Sequence, residues 1–110
     1  MPRGDLLGSL EYIVLLALVR LGPGAYGMTV RRQIEARTGR NISIGAVYST
    51  LERLEAKGYV TSSTGAPTAA RGGRAKRIFQ IDAAGERALR TSQEAIRKMT
   101  HGLKRRWGTV

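Results

Sequence analysis

Cysteine is absent from the 110 residues, and histidine occurs once, at His101. The first absence excludes a disulfide framework and any thiolate metal site, and one imidazole late in the chain cannot build a metal centre alone. Acidic residues are scarce: eight Asp and Glu stand against 19 Lys and Arg, a formal net charge of +11. Such a field favours polyanions, nucleic acid first and anionic membrane second. Aromatic residues make up 5% of the chain and are not interleaved with the cations, which argues against a single-strand binder built on stacking platforms. The carboxylates are scattered, and no Walker loop, dinucleotide fingerprint or HExxH motif occurs. No enzymatic activity, cofactor or metal is therefore expected.

A secretory pattern is missing as well. Only Arg3 precedes Asp5, and no small-residue cleavage site follows the apolar run, so the expected location is the cytoplasm. That apolar run, Leu10 to Leu21 (LEYIVLLALVRL), is too short for a membrane span. As a helix it rises about 18 Å against a hydrocarbon core of about 30 Å. It is apolar on every face apart from Glu11 and Arg20, and such a helix must be covered on more than one side. A chain of this size buries a limited fraction of its apolar surface. A second copy of the chain is the economical cover.

The remaining patterns follow in a simple order. Gly22-Pro23-Gly24 stops the first helix, and a short second one carries Val30 and Ile34 one turn apart, with Gly39 as its stop. Ser43 stands where an N-cap belongs. The third helix has one apolar stripe, Ile44, Val47, Leu51 and Leu54, and ends at Lys57-Gly58. Tyr59 to Thr64 and Lys76 to Ile81 read as two strands, with Phe79 and Ile81 on one face of the second. Between them the Gly- and Ala-rich segment from Gly65 to Ala75 makes a hairpin tip. Asp82 is the expected cap of a last helix reaching about Arg106. On it Leu89, Ile96 and Leu103 are spaced by seven with Met99 between, a short coiled-coil-like seam that Ser92 and Arg106 interrupt.

Helix, helix, helix and a two-stranded hairpin is the order of a winged helix-turn-helix: a mainly α, α+β fold with an added C-terminal helix. The expected division is a DNA-binding unit over residues 1–82 and a dimerisation helix over 83–110. On the third helix the face opposite the stripe carries Gly45, Ala46, Ser49, Glu52 and Arg53, with Tyr48 on its flank. Small residues there let a helix approach the floor of the major groove, and Ser49 and Arg53 can bond a phosphate or a base edge. An ordinary solvated helix face fits the same pattern. The hairpin favours the first reading, because Arg71, Arg74, Lys76 and Arg77 crowd one window with Gly72 and Gly73 and no acidic residue. Four like charges so close are easiest to explain by a phosphate partner, although a solvated basic loop is the plain alternative.

The stretch LEYIVLLALVRLGPGAYGMTVRRQIEARTGRNISIGAVYSTLERLEAKGYV followed by RGGRAKRIFQIDAAGERAL resembles the PadR family of bacterial transcriptional regulators, from about Leu7 to Arg90. The most specific elements are AYG at Ala25 to Gly27, the run from Gly45 to Gly58, and the GGRAKR wing. The short C-terminal region resembles the form with a single terminal helix. The resemblance implies a homodimer in which the last helix of each subunit packs on the first helix of the other. That surface would draw on Tyr12, Ile13, Leu16, Leu89, Ile96, Met99, Leu103 and Trp107. It also implies repression from a double-stranded operator of dyad symmetry, and in several members release by a small hydrophobic or aromatic effector. The DNA-facing set would be Ser43, Gly45, Ala46, Tyr48, Ser49 and Arg53 on the recognition helix and Arg71, Arg74, Lys76 and Arg77 on the wing. Two rivals use the same charge: a sequence-tolerant architectural DNA-binding protein, and an interaction module that meets anionic lipid.

Overall fold

Short local signals set the helix boundaries in the computed structural model, which describes residues 6–65 and 76–103. Helix α1 (Ser9–Leu21) starts where the Glu11 carboxylate folds back to accept the Gly8 N–H at 3.1 Å. It stops at Gly22, whose N–H reaches the Leu18 carbonyl. Helix α2 (Gly27–Thr38) opens with a reciprocal pair: the Tyr26 N–H donates to the Thr29 hydroxyl, which donates back to the Tyr26 carbonyl. Gly39 ends it in the left-handed conformation, at φ +72°. Helix α3 (Ile44–Ala56) begins as expected, with Ser43 Oγ accepting the Ala46 N–H at 3.1 Å.

Arg31 holds the turn between α2 and α3. Its guanidinium donates to the Ile42 carbonyl and to Asn41 Oδ1, both at 2.8 Å. The angle at which α3 leaves α2 is therefore secured by side-chain bonds to the connecting backbone as well as by packing.

Strands β1 (Val60–Thr64) and β2 (Arg77–Ile81) pair antiparallel, with Val60 opposite Ile81 and Thr64 opposite Arg77. The Ala25–Tyr26 segment adds a short third rung: Tyr26 bridges Ile78, and the Phe79 N–H donates to the Ala25 carbonyl at 2.8 Å. Side chains alternate across a strand, so Arg77 shares the inward face of β2 with the fully buried Phe79.

The core collects Val14, Leu15 and Leu18 from α1, Val30 and Ile34 from α2, Val47, Leu51 and Leu54 from α3, and Val60 and Phe79 from the sheet. Helix α4 (Ala83–Thr100) adds Leu89. Three expectations about α4 change here. Asp82 occupies the N-cap position but makes no side-chain cap bond. The helix ends at Thr100 rather than near Arg106, and Gly102 follows at φ +85°, so Leu103 lies past the helix end rather than on a continuous stripe. Leu89, expected in the dimer seam, is only 7% exposed and belongs to the protomer's own core. Ser92 is buried beside it because its hydroxyl accepts the Leu7 N–H at 3.0 Å, fastening the segment before α1 to α4. Among the described residues no helix is long and apolar enough to cross a membrane.

Candidate nucleic-acid interface

One face of α3 is committed to the core through Val47, Thr50, Leu51 and Leu54. The other presents Gly45, Ser49, Glu52 and Arg53, all exposed, with Ala46 partly so and the capping Ser43 at its N-terminal edge. A side chain added at Gly45 would meet only open space. The helix thus offers its narrowest profile at the end nearest its positive dipole pole, the end that favours an approaching anion.

Tyr48 is placed differently from this exposed set. Its half-buried ring lies directly over Gly27, so that a Cβ there would collide with the ring and hydroxyl. It also meets Phe79 edge-on, with centroids 6.3 Å apart at 61°. These contacts join α3, the start of α2 and β2 at one point. The glycine of the AYG element is the condition for that packing.

Arg53 reaches toward Glu11. Its Nε lies 3.6 Å from Glu11 Oε2, and its Nη2 donates to Thr50 Oγ1 at 3.3 Å, while its side chain stays 57% exposed. Lys57 makes the shorter contact to the same Glu11 oxygen, at 2.9 Å. Burial pushes the Glu11 carboxyl up, but the Lys57 hydrogen bond, the Gly8 N–H and the charges of Lys57 and Arg53 outweigh it and hold its pKa below the ordinary value. The carboxylate is thus already satisfied by Lys57, and Arg53 is loosely held beside it.

On the wing Arg77 is firmly engaged. Its Nη1 lies 3.0 Å from Glu52 and its Nη2 2.6 Å from Glu55, one turn apart on α3. Glu55 also accepts the Ser62 hydroxyl at 2.7 Å. The hydrogen bond that Arg77 donates to Glu52 leads the effects that raise the Arg77 pKa above its ordinary value, and the guanidinium lies 4.9 Å from the Phe79 ring centre. Lys76 sits with Nζ 4.0 Å from the centre of the Tyr26 ring. Arg71 and Arg74 fall outside the described residues, as does Trp107. Strand alternation sets Arg77 on the same face as Phe79, but that Glu52 and Glu55 meet it follows only from how β2 packs on α3.

The expected dimer surface divides. Tyr12, Ile13 and Leu16 are half-buried on α1. Ile13 and Leu16 line an apolar groove of about 130 Å³ between α1 and α2, with Ile34 at its floor and Arg20 and Arg37 at its rim. On α4, Ile96 is 47% and Met99 78% exposed. The stripe that begins in the core at Leu89 emerges into the open about two and three turns later.

The model of the transcriptional regulator PadR-like family matches residues 15–91. No curated protein matches the chain. Among solved structures, a PadR family transcription regulator from hypervirulent Clostridium difficile is 18% identical, with a TM-score of 0.75 over 92% of this chain and 100% of that one. A PadR-like transcriptional regulator from Bacillus cereus is 16% identical, with a TM-score of 0.75 over 94% and 95%. Bacillus subtilis PadR, solved in complex with operator DNA, is 20% identical, with a TM-score of 0.65 over 76% of this chain and 46% of that one. At these identities the likeness carries the fold, which is that of winged-helix regulators.

Proposed function

The chain belongs to the PadR-like family of transcriptional regulators, and from that premise we propose that it is a dimeric, sequence-specific DNA-binding repressor acting in the cytoplasm. The observation that carries the reading is the exposed face of α3, small at Gly45 and Ser49 and cationic at Arg53, standing beside a basic hairpin. A helix so shaped enters the major groove, while the wing runs along the flanking backbone. Cations on both elements supply the sequence-independent part of the affinity.

The dimer reading rests on α4. Its apolar stripe passes from buried Leu89 to open Ile96 and Met99, and half-buried Ile13 and Leu16 on α1 offer a surface of matching character. In this reading the unit over residues 1–82 reads DNA and that over 83–110 pairs the protomers. The two recognition helices then stand about one helical turn of DNA apart, ~34 Å, on a pseudo-palindromic operator. A small hydrophobic or aromatic effector at the dimer interface completes the proposal, supported by the apolar lining of the α1–α2 groove.

Selection of bound duplexes from random DNA tests this directly. The expected result is a palindrome held on the order of 10³-fold or more above shuffled DNA at physiological salt. Equal affinity for both would replace the regulator with a sequence-tolerant architectural protein. Flotation with anionic vesicles, where no binding is expected, tests the lipid-facing rival.

A further inference from the structure

Arg77 belongs to the wing, the element expected to grip phosphate, yet both arms of its guanidinium are occupied inside the protein. One contacts Glu52 at 3.0 Å and the other Glu55 at 2.6 Å. Ser62, across the sheet, ties into the same cluster by donating to Glu55 and lying 3.4 Å from Arg77 Nε. Strand β1, strand β2 and helix α3 are thus joined by one charged knot at the edge of the core, where the guanidinium lies over the buried Phe79 ring. A planar fork aims two separate N–H arms at the two carboxylates, one turn apart, where an ammonium offers a single compact charge.

The knot also changes the charge that α3 shows. Glu52 lies on the exposed face, where an unpaired carboxylate would repel the sugar-phosphate backbone, and Arg77 cancels it. A phosphate contact by Arg77 would release two carboxylates beside the DNA in exchange for one new ion pair. That exchange gives up two ion pairs for one.

We propose that Arg77 is a positioning residue: it sets the angle of the wing against the recognition helix by gripping Glu52 and Glu55, and it leaves phosphate to other cations. The inference rests on the DNA-binding reading above. Its consequence is that the wing is pre-aligned in the free protein, so that groove contact by α3 and backbone contact by the hairpin occur together.

The test uses the full chain, the duplex recovered by selection and a shuffled duplex of the same composition. Three variants are compared: Arg77→Gln, Arg77→Lys, and the double change Glu52→Gln with Glu55→Gln. Removing two negative charges should tighten binding to all DNA if electrostatics alone mattered. The positioning role gives the opposite result for the selected duplex. Both Arg77→Lys and the double variant should lose about fivefold in the ratio of selected to shuffled binding, the upper end for exposed charge pairs, while the dependence on salt keeps its wild-type slope. In the DNA-free protein, amides of Ile78 to Ile81 should exchange faster in Arg77→Gln. The proposal is overturned if Arg77→Gln lowers the salt slope by about 0.9 and Arg77→Lys restores it, since that is the mark of a phosphate ligand. Equal tightening of both duplexes by the double variant overturns it as well. Failure of the wild type to bind any duplex removes the DNA reading itself, and the exchange rates, measured without DNA, still decide whether Arg77 holds the wing.

Discussion

Glu11 Oε2 lies 2.9 Å from Lys57 Nζ, tying the first turn of α1 to the residue that caps α3. Glu11 is 6% exposed, and its other oxygen accepts the Gly8 N–H. One buried carboxylate therefore caps one helix and pairs with the end of another.

Replacing Glu11 with Ala should cost about 1–3 kcal/mol, the range for losing a buried, charge-assisted hydrogen-bonding group. Because its folded pKa is depressed below the ordinary value of 4.5, the carboxylate stabilises the fold above the unfolded-state pKa. That contribution is lost as pH falls through the depressed folded value. Urea unfolding of wild type and Glu11→Ala should differ most near neutral pH and converge in acid. A gap that stays constant down to the acid end would mean that ionisation plays no part.

Gly27→Ala forces a methyl group into the Tyr48 ring. The expected loss is about 1–3 kcal/mol, typical of overpacking a filled site, and it should shrink when Tyr48 is also changed to Leu. Thermal unfolding of the two single variants and the double variant forms a cycle that measures this coupling. Simple additivity would show that the ring moves aside freely.

Arg53→Ala should weaken binding to all duplexes and lower the salt slope by about 0.9, the signature of one lost phosphate contact. Folding stability should hardly change, because Lys57 still neutralises Glu11 at the shorter distance. Titration at several salt concentrations, with a parallel melting curve, separates the two effects. An unaltered slope would place Arg53 away from the backbone.

Ile96→Asp puts a charge on a residue that is 47% exposed in the protomer. A monomer would tolerate it, whereas a dimer seam would not, since an unpaired charge buried there is strongly destabilising. Sedimentation should show dissociation to folded single chains. By contrast Leu89→Asp should unfold the protomer, because Leu89 lies in its core. A folded dimer of the Ile96 variant would refute the seam.

Leu89 and Ile96 show where sequence periodicity stops being informative. Both occupy the same heptad-spaced stripe, yet one is buried and the other open, because α4 crosses its own domain only along its first half. The winged-helix order, the Ser43 cap, the glycine stops and the core stripe of α3 were legible because each depends on residues within one or two turns. The partners of Glu11, Arg77 and Ser92 were not. Those pairs span 46, 25 and 85 positions, and which distant group meets a polar side chain depends on how the packed elements are oriented. The Tyr26–Ile78 rung was hidden for the same reason, since a single bridge leaves no alternation to detect.

The Ser92 bond to Leu7 has a mechanical corollary. From that hydroxyl the route runs along one peptide to the Gly8 N–H, then to Glu11, and from Glu11 to Lys57 at the foot of α3. A shift of α4 along its axis would pull on this tether as well as on Leu89 in the apolar core. If α4 pairs the protomers and α3 reads DNA, as proposed above, the two helices are geared to one another, and a few polar links help to set the spacing between half-sites.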